Sequence, residues 1–301
     1  MKQTDLVQQL DSFFSIEAFD ETYHWKPKFA ERDLSVFQEY AATSFLEGPW
    51  NGLMLNHAES LDRVYLIVFP TQDVIDTIIA KEVARGAPGA LIFAHHLLNF
   101  VPVKRGFDAI STDQLAELRE HQISYYVCHA PLDCHPETST ATALANVLGL
   151  REQGRFLPLY GGHKAVTGKV GKPVDFQKFA TRLAKVTDVE HLRYDQVLHN
   201  GRSVSQVAVV SGNGADPALL HEAANLGCDT YVTGQWWFYG ESEYAEQSRA
   251  AMREAVLETQ MNLLGVSRYA TEMVVMRDQM PGWFLAQGVD ADFIMPDDPW
   301  Q

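Results

Sequence analysis

Two adjacent histidines, His95 and His96, close the apolar run LIFA. Neutral imidazole is a common ligand for zinc, iron and related metals. Neighbours on a continuing strand face opposite ways, but at a strand end the chain can turn and bring both rings to one crevice. Two solvated surface histidines are the plainer alternative; their place at the end of a buried run favours a site. A second polar cluster, CHAPLDCHP, follows ISYYV and sets His129 and Asp133 in a loop held by Pro131 and Pro136. A carboxylate there can ligate one cation or bridge two, or simply shape the turn before the next helix. A third cluster, SRYATE, follows MNLLGV and carries Arg268 and Glu272. Near a helix start Glu272 would also suit the helix dipole. Together these make His95, His96, Asp133 and Glu272 the candidate metal ligands. His129 is a candidate acid or base, and Arg268 a candidate donor to a substrate phosphate.

These clusters matter only if the elements before them are neighbouring strands. RVYLIVFP reads as a buried strand stopped by Pro70. TQDVIDTIIAKEVARG reads as a helix that Thr71 or Asp73 can cap and Gly86 ends, with Val74, Ile75, Ile78, Ile79 and Val83 as its apolar stripe. ALIFAHH is the next strand, so the three form a βαβ unit with parallel strands. The alternation continues through a helix at STDQLAELREHQ, the strand ISYYVCH and a helix at TSTATALANVLGL. GRFLPLYGGHKAVTGKVG is Gly-rich and reads as antiparallel or looped; strands at VSQVAVVSGNG, CDTYVTG and MNLLGV alternate with helices beyond it. ADFIMP reads as a closing edge strand. Before all this, Leu6, Leu10, Phe13 and Phe14 have helical spacing, and Asp33 can cap a second helix running to about Ala42. The pattern predicts an α/β fold, a mixed sheet with helices on both faces. It is read as one unit, or as two lobes: about 1–160 with the C-terminal segment, and about 161–240. Open sheets of this class bind ligands beyond the carboxyl ends of their strands, where the polar clusters fall.

The other motifs are weaker. SGNG can cradle phosphate through backbone N–H groups, but a tight turn is the favoured reading. Trp236, Trp237, Phe238 and Tyr239 read as core or subunit contact. Cys128, Cys134 and Cys228 are few, odd in number and unlike zinc-knuckle pairs; they read as buried filler in a reducing compartment.

The 301 residues carry a formal net charge of −15, which argues against a nucleic-acid partner. A phosphorylated substrate stays open, since a bound metal can supply local positive charge. Composition is ordinary for a globular chain, with 46% hydrophobic and 21% charged residues. The N-terminal stretch lacks a signal-peptide core and no apolar run approaches a membrane span, so the expected address is the cytoplasm, with no membrane partner.

Taken in order, WNGLML, LIFAHH, HAPLD, VSGNG, DTYVTG and RYATE resemble the motifs of the dinuclear-metal-centre hexameric family, Nif3-like and also labelled type-2 GTP cyclohydrolase I-like. The resemblance runs from about Trp50 to the C-terminus. It implies a three-layer α/β protomer, a toroidal homohexamer, and one or two divalent metals per chain (zinc, iron or manganese). By position, His95, His96, Asp133 and Glu272 match ligands, and His129 matches a site-lining histidine. Two positions depart from the pattern. Arg268 stands where the family carries a histidine, and Gln235 where an acidic residue is common. A guanidinium cannot ligate a metal, so one of the family's two metals loses a ligand here; a further reading has Arg268 substitute for the second cation and leave a mononuclear site. The expected function is a metal-dependent hydrolase acting on a nucleotide-like or phosphorylated small molecule. The competing expectation is a non-enzymatic ring that binds metal or a partner.

Overall fold

The computed structural model describes residues 1–30, 34–87, 89–101, 106–190, 192, 203–236 and 242–296. In chain order the elements are α1 (Gln3–Phe14), α2 (Thr22–Ala30), α3 (Leu34–Tyr40), α4 (Thr43–Glu47), β1 (Gly52–Leu55), β2 (Arg63–Ile67), α5 (Gln72–Arg85), β3 (Ala90–Ala94), β4 (Asn99–Val101), β5 (Gly106–Asp108), α6 (Thr112–Glu120) and β6 (Ile123–Val127). They continue with α7 (Ala130–Cys134), α8 (Thr140–Val147), β7 (Arg151–Leu159), β8 (Gly162–Val174), α9 (Phe176–Val186), β9 (Val204–Asn213), α10 (Pro217–Asn225), β10 (Thr230–Gln235), α11 (Glu243–Thr259), β11 (Asn262–Gly265), α12 (Arg268–Asp278), α13 (Met280–Ala286) and β12 (Asp290–Phe293). The chain divides into two compact units, one holding residues 1–101, 106–132 and 276–297, the other centred on 133–275.

The first unit is built on a sheet ordered β1-β6-β3-β2-β12. Strands β12, β2, β3 and β6 run parallel, and β1 pairs antiparallel to β6, so the sheet is mixed. The two faces follow from the two-residue period of a strand. Tyr65, Ile67, Ile92, Ala94, Tyr125 and Val127 cluster with Ile75 and Ile78 of α5 and Leu115 and Leu118 of α6. From the alternate positions, Phe93 meets Phe14 of α1 and Phe284 of α13, with ring centroids 5.9 and 5.4 Å away. Burying one such ring contributes roughly 1.5–3 kcal/mol. Helices therefore cover both faces. The stripe of α5 ends earlier than expected: Val83 is exposed and Glu82 is buried instead. Glu82 can be buried because Tyr65 donates to its Oε1 at 2.6 Å and Arg85 to its Oε2 at 2.6 Å. Thr71 stands at the N-cap of α5 without a side-chain capping bond, whereas Ser111 and Gln114 form a full capping box on α6. Asp33 lies outside the described residues.

The second unit holds a sheet ordered β11-β10-β9-β8-β7. Its β9, β10 and β11 are parallel, and β7 and β8 are antiparallel. The Gly-rich middle section is thus a long hairpin. Leu220 and Ala223 of α10 and Met252 and Val256 of α11 pack on Ala208, Val210, Tyr231 and Leu263. Trp236 is buried in the same cluster, and residues 237–239 lie outside the described part. The strand read at ADFIMP is β12, an edge strand as expected, and it belongs to the first unit. The class is mixed α/β, with one mixed sheet in each unit.

Candidate metal centre

His95 and His96 follow β3, and His129 follows β6, its parallel neighbour. Backbone pairing runs past the strand ends: His95 N–H donates to Ile67 O, His96 N–H to Val68 O and Cys128 N–H to Ala94 O. That ladder holds all three imidazoles at one edge, and Tyr125 adds a hydroxyl donating to His96 O at 2.9 Å. Ring centroids lie 4.3 Å apart for His95–His96, 5.1 Å for His95–His129 and 4.8 Å for His96–His129. One ligating atom from each residue falls within 4.8 Å of the others. Phe69 stacks on His96 at 4.3 Å and limits its ring orientation.

Two of the imidazoles have a fixed second nitrogen. His95 Nδ1 lies 3.0 Å from Cys128 O, a carbonyl that can only accept, so Nδ1 carries the proton and Nε2 the lone pair. His129 Nδ1 lies 2.7 Å from Glu21 Oε1. Its own N–H donates to Asn51 Oδ1 at 2.9 Å. Glu21 Oε2 in turn accepts from Asn51 Nδ2 and from Ala130 N–H, both at 2.9 Å. Burial alone would raise the Glu21 carboxyl. The interaction with His129 and the bonds from Asn51 and Ala130 outweigh it and hold the group down at about 2. Imidazoles whose outer nitrogen is bonded to a carbonyl or carboxylate present the inner nitrogen to a cation, which is the usual arrangement of metal-binding histidines. The donor set fits a metal ion, since neutral imidazole nitrogens are common metal ligands.

His129, read from the sequence as an acid or base, lies beside His95 and His96 with a nitrogen that could ligate the same ion. Asp133, Arg268 and Glu272 belong to the second unit. The segment expected as a loop at Asp133 is the short helix α7, and Thr140 donates to Asp133 Oδ1 at 2.6 Å. Arg268 Nε donates to Glu272 Oε1 at 3.2 Å, one helical turn along α12. Close packing around Glu272 explains two glycines. A Cβ on Gly212 would stand 2.3 Å from Glu272 Oε1, and one on Gly234 would stand 2.8 Å from Arg268 Cα. Gly212 N–H is bonded to Thr271 Oγ1, so SGNG serves as a tight turn that admits α12. All three cysteines are buried, and none is among the clustered ligands. Sequence reading missed Glu21 and Asn51. Asn51 had a signal, its place inside WNGLML; Glu21 had none, since it comes from far upstream.

The site at the carboxyl ends of two parallel strands defines the class: a mixed α/β protein whose buried His95 and His96 and half-buried His129 form a cluster able to hold a metal ion. Residues 34–281 match the Duf34/NIF3 (NGG1p interacting factor 3) family model, and the chain belongs to that family. Its curated relatives include the GTP cyclohydrolase 1 type 2 homolog of Halobacterium salinarum, 30% identical over 69% of this chain and 78% of that one. Another, from Deinococcus radiodurans and of the same name, is 27% identical over 83% of each chain. Among solved structures, Staphylococcus aureus hypothetical protein SA1388 superposes with a TM-score of 0.68 at 16% identity, covering 100% of this chain and 99% of that one. At that identity the likeness speaks for the fold alone. Among the described residues no helix is long and apolar enough to cross a membrane.

Proposed function

We propose that this chain is a cytoplasmic metal-binding protein and a metal-dependent hydrolase of a nucleotide-like or phosphorylated small molecule. The observation that carries the metal reading is the convergence of ligating atoms from His95, His96 and His129 within 4.8 Å. Asp133 and Glu272 are the proposed carboxylate ligands, on the family resemblance of HAPLD and RYATE. The names of the curated relatives support cyclohydrolase-like chemistry as the first substrate class to test.

A divalent cation here would supply Lewis acidity and lower the pKa of water toward neutrality. The chain's own residues do the rest. His95 and His129 are held in a single tautomer by Cys128 O and Glu21. Phe69 and Trp25 wall the cluster, with Trp25 5.0 Å from the His129 ring and almost wholly buried. Arg268 pairs with Glu272 at 3.2 Å, and a guanidinium neutralising that carboxylate supports a single cation per chain in place of two. A homohexamer is the proposed assembly.

The same Arg268–Glu272 pair favours a second reading, a ring that binds metal or a partner without turnover. Metal analysis of protein purified without chelator tests the first claim: about one divalent ion per chain is expected, and less than ~0.2 with no rise on reconstitution removes it. A screen over nucleotides and phosphoesters separates the readings. Turnover that Asp133→Ala abolishes with the assembly intact supports the hydrolase, and no turnover in metal-loaded protein supports the scaffold.

A further inference from the structure

We propose that the segment from Phe19 to Lys28, which precedes the family-matched region 34–281, is a built part of the histidine site, with Glu21 as the positioning carboxylate that fixes His129 as a metal-binding imidazole. This rests on the metal reading above and assigns the residue that sets one of its ligands.

The segment is anchored at both its backbone and its side chains. Glu21 N–H donates to Pro49 O at 3.0 Å, and Thr22 Oγ1 to Gly48 O at 3.3 Å. Asn51 reaches back with its amide to Glu21 Oε2 at 2.9 Å and to Phe19 O at 3.4 Å. Trp25, one turn into α2, is 1% exposed and lies edge-on to His129 at 5.0 Å and to His96 at 6.4 Å. Glu21 itself is 3% exposed, and both its oxygens are used: Oε1 by His129, Oε2 by Asn51 and the Ala130 amide. One carboxylate therefore fixes the ring of His129 and the backbone just after it. A carboxylate accepting from Nδ1 selects the tautomer with its lone pair on Nε2 and raises that nitrogen's basicity. A surface carboxylate meeting a histidine by chance would not be buried, doubly bonded and tied to the ligand loop through a third residue. The family-matched residues alone thus lack a group on which His129 depends.

The test is a cobalt titration of the full chain, read by visible absorption, for the wild type and for Glu21→Gln. Removing a partner of this kind weakens metal binding by about 10–100-fold, and that loss is expected here. Nitrogen-15 NMR of the metal-free wild type gives a second readout, in which His129 is expected as the Nδ1–H tautomer. An affinity within about twofold of wild type overturns the role of Glu21 and leaves the metal reading standing. A wild type that takes up no cobalt overturns both. If Glu21→Gln does not fold, the wild-type spectrum decides: His129 protonated on Nε2 overturns the proposal, and Nδ1 protonation supports it.

Discussion

The Nδ1 of His129 and the Oε1 of Glu21 lie 2.7 Å apart across 108 positions of sequence. That contact joins the entry to α2 with the end of β6 and makes the N-terminal region part of the first unit's site. Glu21→Ala strips the acceptor from the Ala130 amide and the Asn51 amide together. Leaving buried donors unsatisfied costs about 1–3 kcal/mol, and urea denaturation of chelator-treated protein should show a loss of that size. An unchanged midpoint would mean that water replaces the carboxylate at no cost.

Two glycines should respond with opposite sign to the same substitution. Gly234→Ala drives a methyl to within 2.6 Å of Thr271 Oγ1, 2.7 Å of Gly212 O and 2.8 Å of Arg268 Cα. Two of those atoms are backbone, so a destabilisation of about 1–3 kcal/mol is expected. Gly282 sits inside α13 with nothing within 4 Å of its added Cβ. Gly282→Ala should stabilise by about 0.5–1 kcal/mol through helix propensity and unfolded-chain entropy. Thermal melts of the two variants against wild type check both signs.

Burial, reinforced by the charge of Asp229 and only partly offset by a bond to Gln206, pushes the Cys228 thiol up to about 12. The raised value favours the protonated form in the folded state. Its contribution to stability is complete below the ordinary value of 9.0 and is lost as pH rises toward 12. At pH 8.5 the folded chain should leave Cys228 unmodified by iodoacetamide, and the chain unfolded in urea should be alkylated there. Equal rates by peptide mapping in both states would contradict this.

Arg268 and Glu272 form an ion pair at 3.2 Å where the family pattern puts a histidine before the glutamate. If the guanidinium takes the place of a second cation, Arg268→His should raise the metal bound per chain, measured by elemental analysis. Unchanged metal content would remove that reading.

Much of the scaffold was legible because buried strands announce themselves. RVYLI, ALIFA and ISYYV are short runs whose side chains are almost all buried, and β2, β3 and β6 pair in parallel as the βαβ rhythm requires. His95, His96 and His129 were legible as candidates because they directly follow such runs. Val83 was misplaced because an apolar pattern cannot foresee that Tyr65 and Arg85 will satisfy a buried Glu82. Glu21 was invisible for a different reason. Its partners are 30 and 108 positions away, and no local spacing encodes such contacts. The helix at Asp133 was hidden by Pro131, which reads as a loop residue yet is tolerated in the first turn of a helix.

His95, His96 and His129 should bind one divalent ion through ring nitrogens. Anomalous diffraction from crystals soaked in zinc and recorded at its absorption edge tests it most directly. One strong peak is expected at about 2.0–2.1 Å from Nε2 of both His95 and His129. A map with the three imidazoles well ordered and no peak among them, or a peak bound to Nδ1 of His129 with Glu21 displaced, would contradict it.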